Sequence, residues 1–259
     1  TFNQIYARDR GASTTALVSD ALAALGVGGN HNSQFASCSA DGNLIAFQSK
    51  ASDLIASDAN GLANDIFVRD QTGGTTTLVS VATGGSPQGN SNSTNPTISA
   101  DGGSVAYQSI ASNLVAGDTN ARFDVFHHDI AGGVTTRISV SSAGAQADDN
   151  SGVSSISDDG RFTAFHSLAT NLVTGDANGL QDVFLHDIVS GITSRISEDT
   201  SAMDPDGSSA DARISGDAQV VVFSSAATDL VLGDTNGVDD VFVRDCAPVA
   251  FNYCTGKVN

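Results

Sequence analysis

The hexapeptide Asp240-Val-Phe-Val-Arg-Asp245 is one of a series. Asp65-Ile-Phe-Val-Arg-Asp70, Asp124-Val-Phe-His-His-Asp129 and Asp182-Val-Phe-Leu-His-Asp187 precede it, with Gln4-Ile-Tyr-Ala-Arg-Asp9 as a looser first copy. The closing aspartates stand 61, 59, 58 and 58 residues apart. A near-constant period of this length marks one supersecondary unit repeated along the chain. A second block, Ser-x-Asp-Gly followed by a short apolar run, recurs at Ser39, Ser99 and Ser157, and Ser215-Gly216-Asp217-Ala218 is a degenerate fourth copy.

Each unit reads as four short strands. The first ends in Ser-x-Asp-Gly, as in Thr97-Ile-Ser99, and Asp-Gly is a strong tight-turn signal. The second is nearly all apolar, as in Leu44-Ile-Ala-Phe47 and Val220-Val-Val-Phe223, which suits an inner strand covered on both faces. The hexapeptide is the third, with Val241 and Val243 on one face and Phe242 and Arg244 on the other. The fourth is rich in threonine: Thr75-Thr-Thr-Leu-Val-Ser80 and Thr135-Thr-Arg-Ile-Ser139. Four-stranded antiparallel units at a fixed period predict an all-β fold, a β-propeller of about four full blades plus an N-terminal half-blade. One domain over 1–259 is expected, with the half-blade at 1–19 and blades at about 36–81, 95–140, 153–197 and 211–253.

Composition agrees and excludes several functions. The chain has 259 residues, 11 Lys+Arg against 29 Asp+Glu, and a formal net charge of −18. All the acids but Glu198 are aspartate, a turn-former rather than a helix-former. No basic stripe exists to neutralise phosphates, so nucleic acid is not an expected partner. The longest apolar stretch, Ala21 to Val27, is far short of the about 20 residues of a membrane span. Tryptophan is absent and tyrosines number three, so a carbohydrate-stacking face is not expected. The chain begins at Thr1 without Met or a signal sequence, so a processed mature protein or a fragment is expected, export being the simpler account.

The order Ser-x-Asp-Gly, x-Ala-Phe-x-Ser, Asp-Val-Phe-x-x-Asp, then a Thr/Arg-Ile-Ser strand resembles the TolB-like propeller repeat. The resemblance covers residues 36–245 in four copies and half a copy at 4–19. It is specific for fold and weak for function, since related propellers serve as binding platforms and as enzymes. Two departures stand out. The aromatic-Ser-Pro-Asp-Gly form is reduced to Ile/Cys-Ser-x-Asp-Gly, and an Asp/Asn-rich loop is inserted between second and third strands.

That loop repeats acids and amides at positions 1, 3 and 7: Asp118, Asn120, Asp124; Asp176, Asn178, Asp182; Asp234, Asn236, Asp240. The first copy, Asp58, Asn60, Asp65, holds one extra residue, and Asn64 occupies its seventh position. Hard oxygen ligands at alternating positions of a curled loop suit Ca²⁺, and a calcium site is expected in each copy, less securely in the second, where Ala121 replaces a glycine. The loops resemble those of integrin-type propellers and, loosely, the front half of an EF-hand, but lack a bidentate Glu at position 12. Asp53, Asn113, Asn171 and Asp229 are candidates for extra ligands. The alternative is that Asp and Asn only cap their own turns.

Three cysteines have different settings. Cys38 stands where later repeats have Ile98, Ile156 and Ile214, so a small buried hydrophobe is expected. Cys246 and Cys254 lie outside the repeat; they form either a disulfide clipping the tail, which implies an oxidising compartment, or two free thiols. His128 and His186 align with Arg69 and Arg244, a position expected to hold a donor aimed at a repeat aspartate. His127, His166 and the pair Asp158-Asp159 break the repeat and are the residues a catalytic reading would use.

Two functional expectations follow. The first is a secreted or cell-surface, calcium-binding, non-catalytic propeller acting as a structural or interaction module, self-associating or binding a protein partner through an unpaired strand edge. The second is an extracellular hydrolase or lyase with its site at the central channel mouth. The resemblance implies a third, a periplasmic partner-binding platform like TolB.

Overall fold

Alternating apolar runs broken by Asp-Gly and Gly-Gly turns fold as expected into antiparallel strands. The computed structural model describes residues 2–246, in which no helix occurs. β1 (Tyr6–Asp9) and β2 (Thr14–Leu17) form a two-stranded hairpin, as do β3 (Asp20–Ala21) and β4 (Ala24–Gly28). Three four-stranded sheets follow in chain order: β5 (Ser33–Cys38), β6 (Leu44–Ser49), β7 (Asp65–Asp70), β8 (Thr75–Leu78); then β9 (Ser93–Ile98), β10 (Ser104–Ser109), β11 (Asp124–Asp129), β12 (Val134–Arg137); then β13 (Ser151–Ile156), β14 (Phe162–Ser167), β15 (Asp182–Asp187), β16 (Ile192–Arg195). The last sheet holds three described strands, β17 (Ser209–Ile214), β18 (Val220–Ser225) and β19 (Asp240–Asp245). Neighbours in sequence are neighbours in each sheet, the meander that short turns permit.

The chain divides into two compact units, Thr1–Thr119 with His127–Thr136, and Asn120–Phe126 with Arg137–Asn259. In the first, β9 packs on β5, β6 and β7; in the second, β17 packs on β13, β14 and β15. Each core is aromatic. Phe47 stands opposite Phe67, Phe165 opposite Phe184 and Phe223 opposite Phe242, with rings 5.8, 5.6 and 5.8 Å apart. Such pairs add about 0.5–1.5 kcal/mol beyond the burial of their area. Tyr107 and Phe126 are fully buried in the remaining four-stranded sheet.

Polar residues of the repeat lock the strands together. Ser33–Ser49, Ser93–Ser109, Ser151–Ser167 and Ser209–Ser225 are buried hydroxyl pairs at 2.8–2.9 Å, joining the start of each first strand to the end of the second. In Ser-x-Asp-Gly the serine hydroxyl donates to the aspartate two residues on and accepts the amide five residues on, as in Ser39 to Asp41 and Leu44 to Ser39. The degenerate copy repeats both bonds through Ser215, Asp217 and Val220. There Ala218 takes φ 58°, where Gly42 and Gly102 take 71° and 74°, a left-handed conformation that costs a residue with a Cβ.

One expectation is overturned here. Cys38 is exposed, whereas Ile98 and Ile156 at the same repeat position are buried. The cause is tertiary. β9 and β17 are covered by second strands of the preceding sheet, β6 and β14, and no described strand of that kind precedes β5.

Candidate functional site: the inter-strand loops and the N-terminal hairpin

The two aspartates of the hexapeptide do different work. The closing one caps the turn into the fourth strand: Asp9 accepts from the amides of Gly11 and Ala12, Asp129 from Ala131 and Gly132. It also receives a side chain from the other turn of its sheet, Asn43 to Asp70 and a two-pronged Arg161 to Asp187. At Asp187 burial alone would raise the carboxyl, but the bonds from Arg161, Ser190 and the Val189 amide outweigh it and hold it at about 2.

The opening aspartate closes the inserted loop. Asn60 donates its amide to Asp65, Asn120 to Asp124, Asn178 to Asp182 and Asn236 to Asp240. The serine ending the fourth strand donates to the same carboxylate: Ser80 to Asp65, Ser139 to Asp124 and Ser197 to Asp182, at 2.6–2.8 Å. Loop and outer strand are thus clasped on one buried acceptor. Burial pushes Asp65 and Asp182 up to about 6, against these hydrogen bonds.

The copies differ in countercharge. Arg137 lies 3.6 Å from Asp124 and Arg195 lies 3.9 Å from Asp182, with Asp204 also on Arg195. The first loop has Leu78 at the corresponding position. Its Asp58 and Asp65 instead share the amide of Gln88, at 2.9 Å each, and the buried Asn60 Oδ1 has no hydrogen-bond donor. Among the described residues no group of three or more His, Cys, Asp or Glu stands close enough to share a metal ion.

The Arg/His position of the hexapeptide links consecutive repeats, and the expected repeat aspartate is not its partner. Arg69 reaches Asp20, and Arg244 reaches Glu198, each the residue after the serine of the preceding fourth strand. At that place Val81 and Val140 precede the histidine copies. His128 and His186 bond Thr135 and Thr193 through Nδ1, and those threonines donate to the carbonyls of Val81 and Val140. Aligning the residue after each fourth-strand serine would have exposed this alternation of Arg with acid and His with valine.

Two of the repeat-breaking residues, Asp159 and His166, take the places of their repeat counterparts. Asp159 accepts from Ser157 and the Arg161 amide, as Asp41 does in its own turn. His166 aligns with Gln48, whose Oε1 accepts the Asn95 amide at the bulge of the next sheet. The matching bulge residue in front of His166 is Asp211; burial lowers the histidine and the Asp211 charge opposes it.

The N-terminal hairpin is built on the same template. Gln4 accepts from Ser19 as Asp65 does from Ser80, and Arg8 donates to Thr15 at 3.0 Å as Arg69 does to Thr76 at 3.1 Å. On its other side no described strand lies beside β1. Tyr6, at the place of the fully buried Phe67, is 63% exposed, and Phe35 on β5 is 62% exposed. Cys254 lies outside the described residues, so the pairing of Cys246 with it does too.

No protein-family model and no curated protein matches the chain. Among solved structures it resembles TolB from Acinetobacter baumannii (TM-score 0.53, 14% identity, 99% of this chain and 48% of that one). It also resembles a putative TolB from Agrobacterium tumefaciens (0.52, 15%, 92% and 64%) and a structure from an analysis of two prolyl endopeptidases (0.56, 13%, 93% and 31%). The chain therefore spans about half of the first and under two thirds of the second. At these identities the likeness concerns fold alone, and the repeated four-stranded antiparallel sheets give this chain a TolB-like β-propeller-type fold.

Proposed function

We propose that the chain is a non-catalytic, exported structural or interaction module that presents a strand edge to another polypeptide. The β1–β2 hairpin carries this reading: its internal bonds repeat those of a complete sheet, while Tyr6 and Arg8 face outward with no strand beside β1 among the described residues. An unpaired edge of this kind is a template for β-augmentation. The test is hydrogen exchange on the isolated chain with light scattering. Amides of β1 are expected to exchange far faster than those of β7 and β15. A monodisperse monomer with β1 protected to the same degree as β7 would refute the reading.

A second reading concerns calcium in the first loop. Asp58, Asn60 and Asp65 combine two carboxylates, a buried amide oxygen without a donor and no guanidinium, which suits a hard cation. In the loops of Asp118, Asn120, Asp124 and of Asp176, Asn178, Asp182, Arg137 and Arg195 already supply the positive charge. Millimolar calcium is expected to raise the melting temperature over chelator in the wild type and not in Asp58→Asn. An unchanged wild-type value removes the ion from the proposal.

A further inference from the structure

We propose that the inserted loops carry a self-modifying step, the Asn-Gly pair, and that the fold directs spontaneous deamidation to Asn236-Gly237, ahead of Asn178-Gly179 and of Asn60-Gly61. Three of the four loops hold this pair, and the second has Asn120-Ala121 in its place. The differences among the loops, rather than the pair itself, carry the inference.

In the reaction the backbone nitrogen of the glycine attacks Cγ of the asparagine. A bond forms between that nitrogen and Cγ, the bond from Cγ to Nδ2 breaks, and the proton lost by the glycine nitrogen leaves with Nδ2 as ammonia. Water then opens the cyclic imide at either carbonyl and leaves aspartate or isoaspartate. Glycine favours the attack because no Cβ shields its nitrogen. Three structural features set the rate. A donor to Oδ1 steadies the negative charge that the attack places there. Acceptors on Nδ2 must be given up before it departs. Exposure lets water reach the imide.

Asn236 is favoured on all three counts. Its Oδ1 accepts the Val238 amide at 3.0 Å. Its Nδ2 donates to Asp240 alone among the described residues, at 2.7 Å, and the side chain is exposed. Asn178 also has a donor on Oδ1, the Leu180 amide at 2.8 Å, but its Nδ2 donates to both Asp182 and the Pro205 carbonyl, and the residue is half-buried. Asn60 is the worst placed. Its Oδ1 is buried without a donor, and its Nδ2 is held by Asp65 and by the Gly89 carbonyl at 2.8 Å.

Conversion changes the last loop in one direction only. An acid at 236 has no N–H to give Asp240, so two carboxylates meet where a donor met an acceptor, with Asp234 and Asp239 in the same loop. Their repulsion opens the clasp that closes this loop onto β19.

The test is to hold the purified chain at neutral pH and body temperature in heavy-oxygen water, then to digest it and map the label by mass spectrometry. Heavy oxygen should enter at Asn236 at least about fivefold faster than at Asn178, the factor for one hydrogen bond of about 1 kcal/mol, with Asn60 slowest. In concentrated urea the three rates should converge, because the fold no longer separates them. Gly237→Ala should lose the label at Asn236 and keep it at Asn178. The second loop already carries Ala121 at this place with the same left-handed backbone, φ 54° against 67° for Gly237, so the substitution is compatible with the loop. Asn178 or Asn60 converting as fast as Asn236 in the folded chain would overturn the proposal. So would the same ordering in urea, no conversion at Asn236 in the folded chain, or a Gly237→Ala chain that converts like wild type.

Discussion

Removing the guanidinium of Arg161 should destabilise the fold in a way that pH can switch off. Arg161 grips Asp187 with two parallel bonds, Nε to Oδ1 at 2.8 Å and Nη2 to Oδ2 at 2.7 Å, tying the turn between β13 and β14 to the turn after β15. The carboxyl is held at about 2 against an ordinary 3.8. That gap corresponds to about 2.5 kcal/mol at neutral pH, shared by Arg161 with Ser190 and the Val189 amide, which the variant keeps. The Arg161 side chain is 32% exposed, and solvent screening reduces the usable part to about 1–2 kcal/mol. Because the folded pKa is depressed, the contribution is fully present above pH 3.8 and is lost as pH falls through about 2. At pH 3 roughly half should remain. The variant Arg161→Met keeps the stem over β14 and removes the charge; its stability relative to wild type would be read from urea unfolding by circular dichroism at pH 7 and pH 3. A deficit of about 1–2 kcal/mol at pH 7 that shrinks by about half at pH 3 is expected. An equal deficit at both values would show that Arg161 acts through packing, including its place 4.8 Å from the Phe162 ring, and would refute the charge argument.

Further outcomes follow from the same contacts. Asp20→Val should strand the buried Arg69 and cost about 3 kcal/mol, and adding Arg69→His should recover most of it by recreating the His128–Thr135 arrangement on Thr76; a denaturant double-mutant cycle showing no coupling would contradict this. Phe47→Ala should cost about 3–5 kcal/mol through the cavity beside Phe67, and a loss below 1 kcal/mol in urea melts would mean the stack is not central to the core. Ala218→Gly should stabilise by about 0.5–1 kcal/mol by relieving the left-handed backbone, checked as a raised melting temperature. Ser80→Ala should cost about 2 kcal/mol, since Ser80 both donates to Asp65 and accepts the Ile66 amide.

Much of this protein is written locally. The 58–61-residue period, the Asp-Gly turns and the apolar second strands determined an all-β chain of repeated meanders, because turn geometry and side-chain alternation act over a few residues. Partners were another matter. The spacing of Asp58, Asn60 and Asp65 is as compatible with a cation as with a clasp. The groups that reach Asp65 are Ser80, fifteen residues beyond it, and Gln88, twenty-three beyond it, and the loop's own spacing points to neither. Likewise Arg69 finds Asp20 forty-nine residues away.

Exposure could not be read from the repeat either. Tyr6 and Cys38 occupy positions that are buried in other copies, and identical local sequence predicts identical burial. Only the stacking of one sheet on the next decides it, since a side chain is covered by strands its own segment does not contain. The sequence by itself therefore determined the units and their order. The tertiary structure decided which acids are clasped, which arginines are matched and which half-sheet has no described strand beside it, because each of those depends on groups far apart in sequence, and the arginine pairs on groups from consecutive repeats.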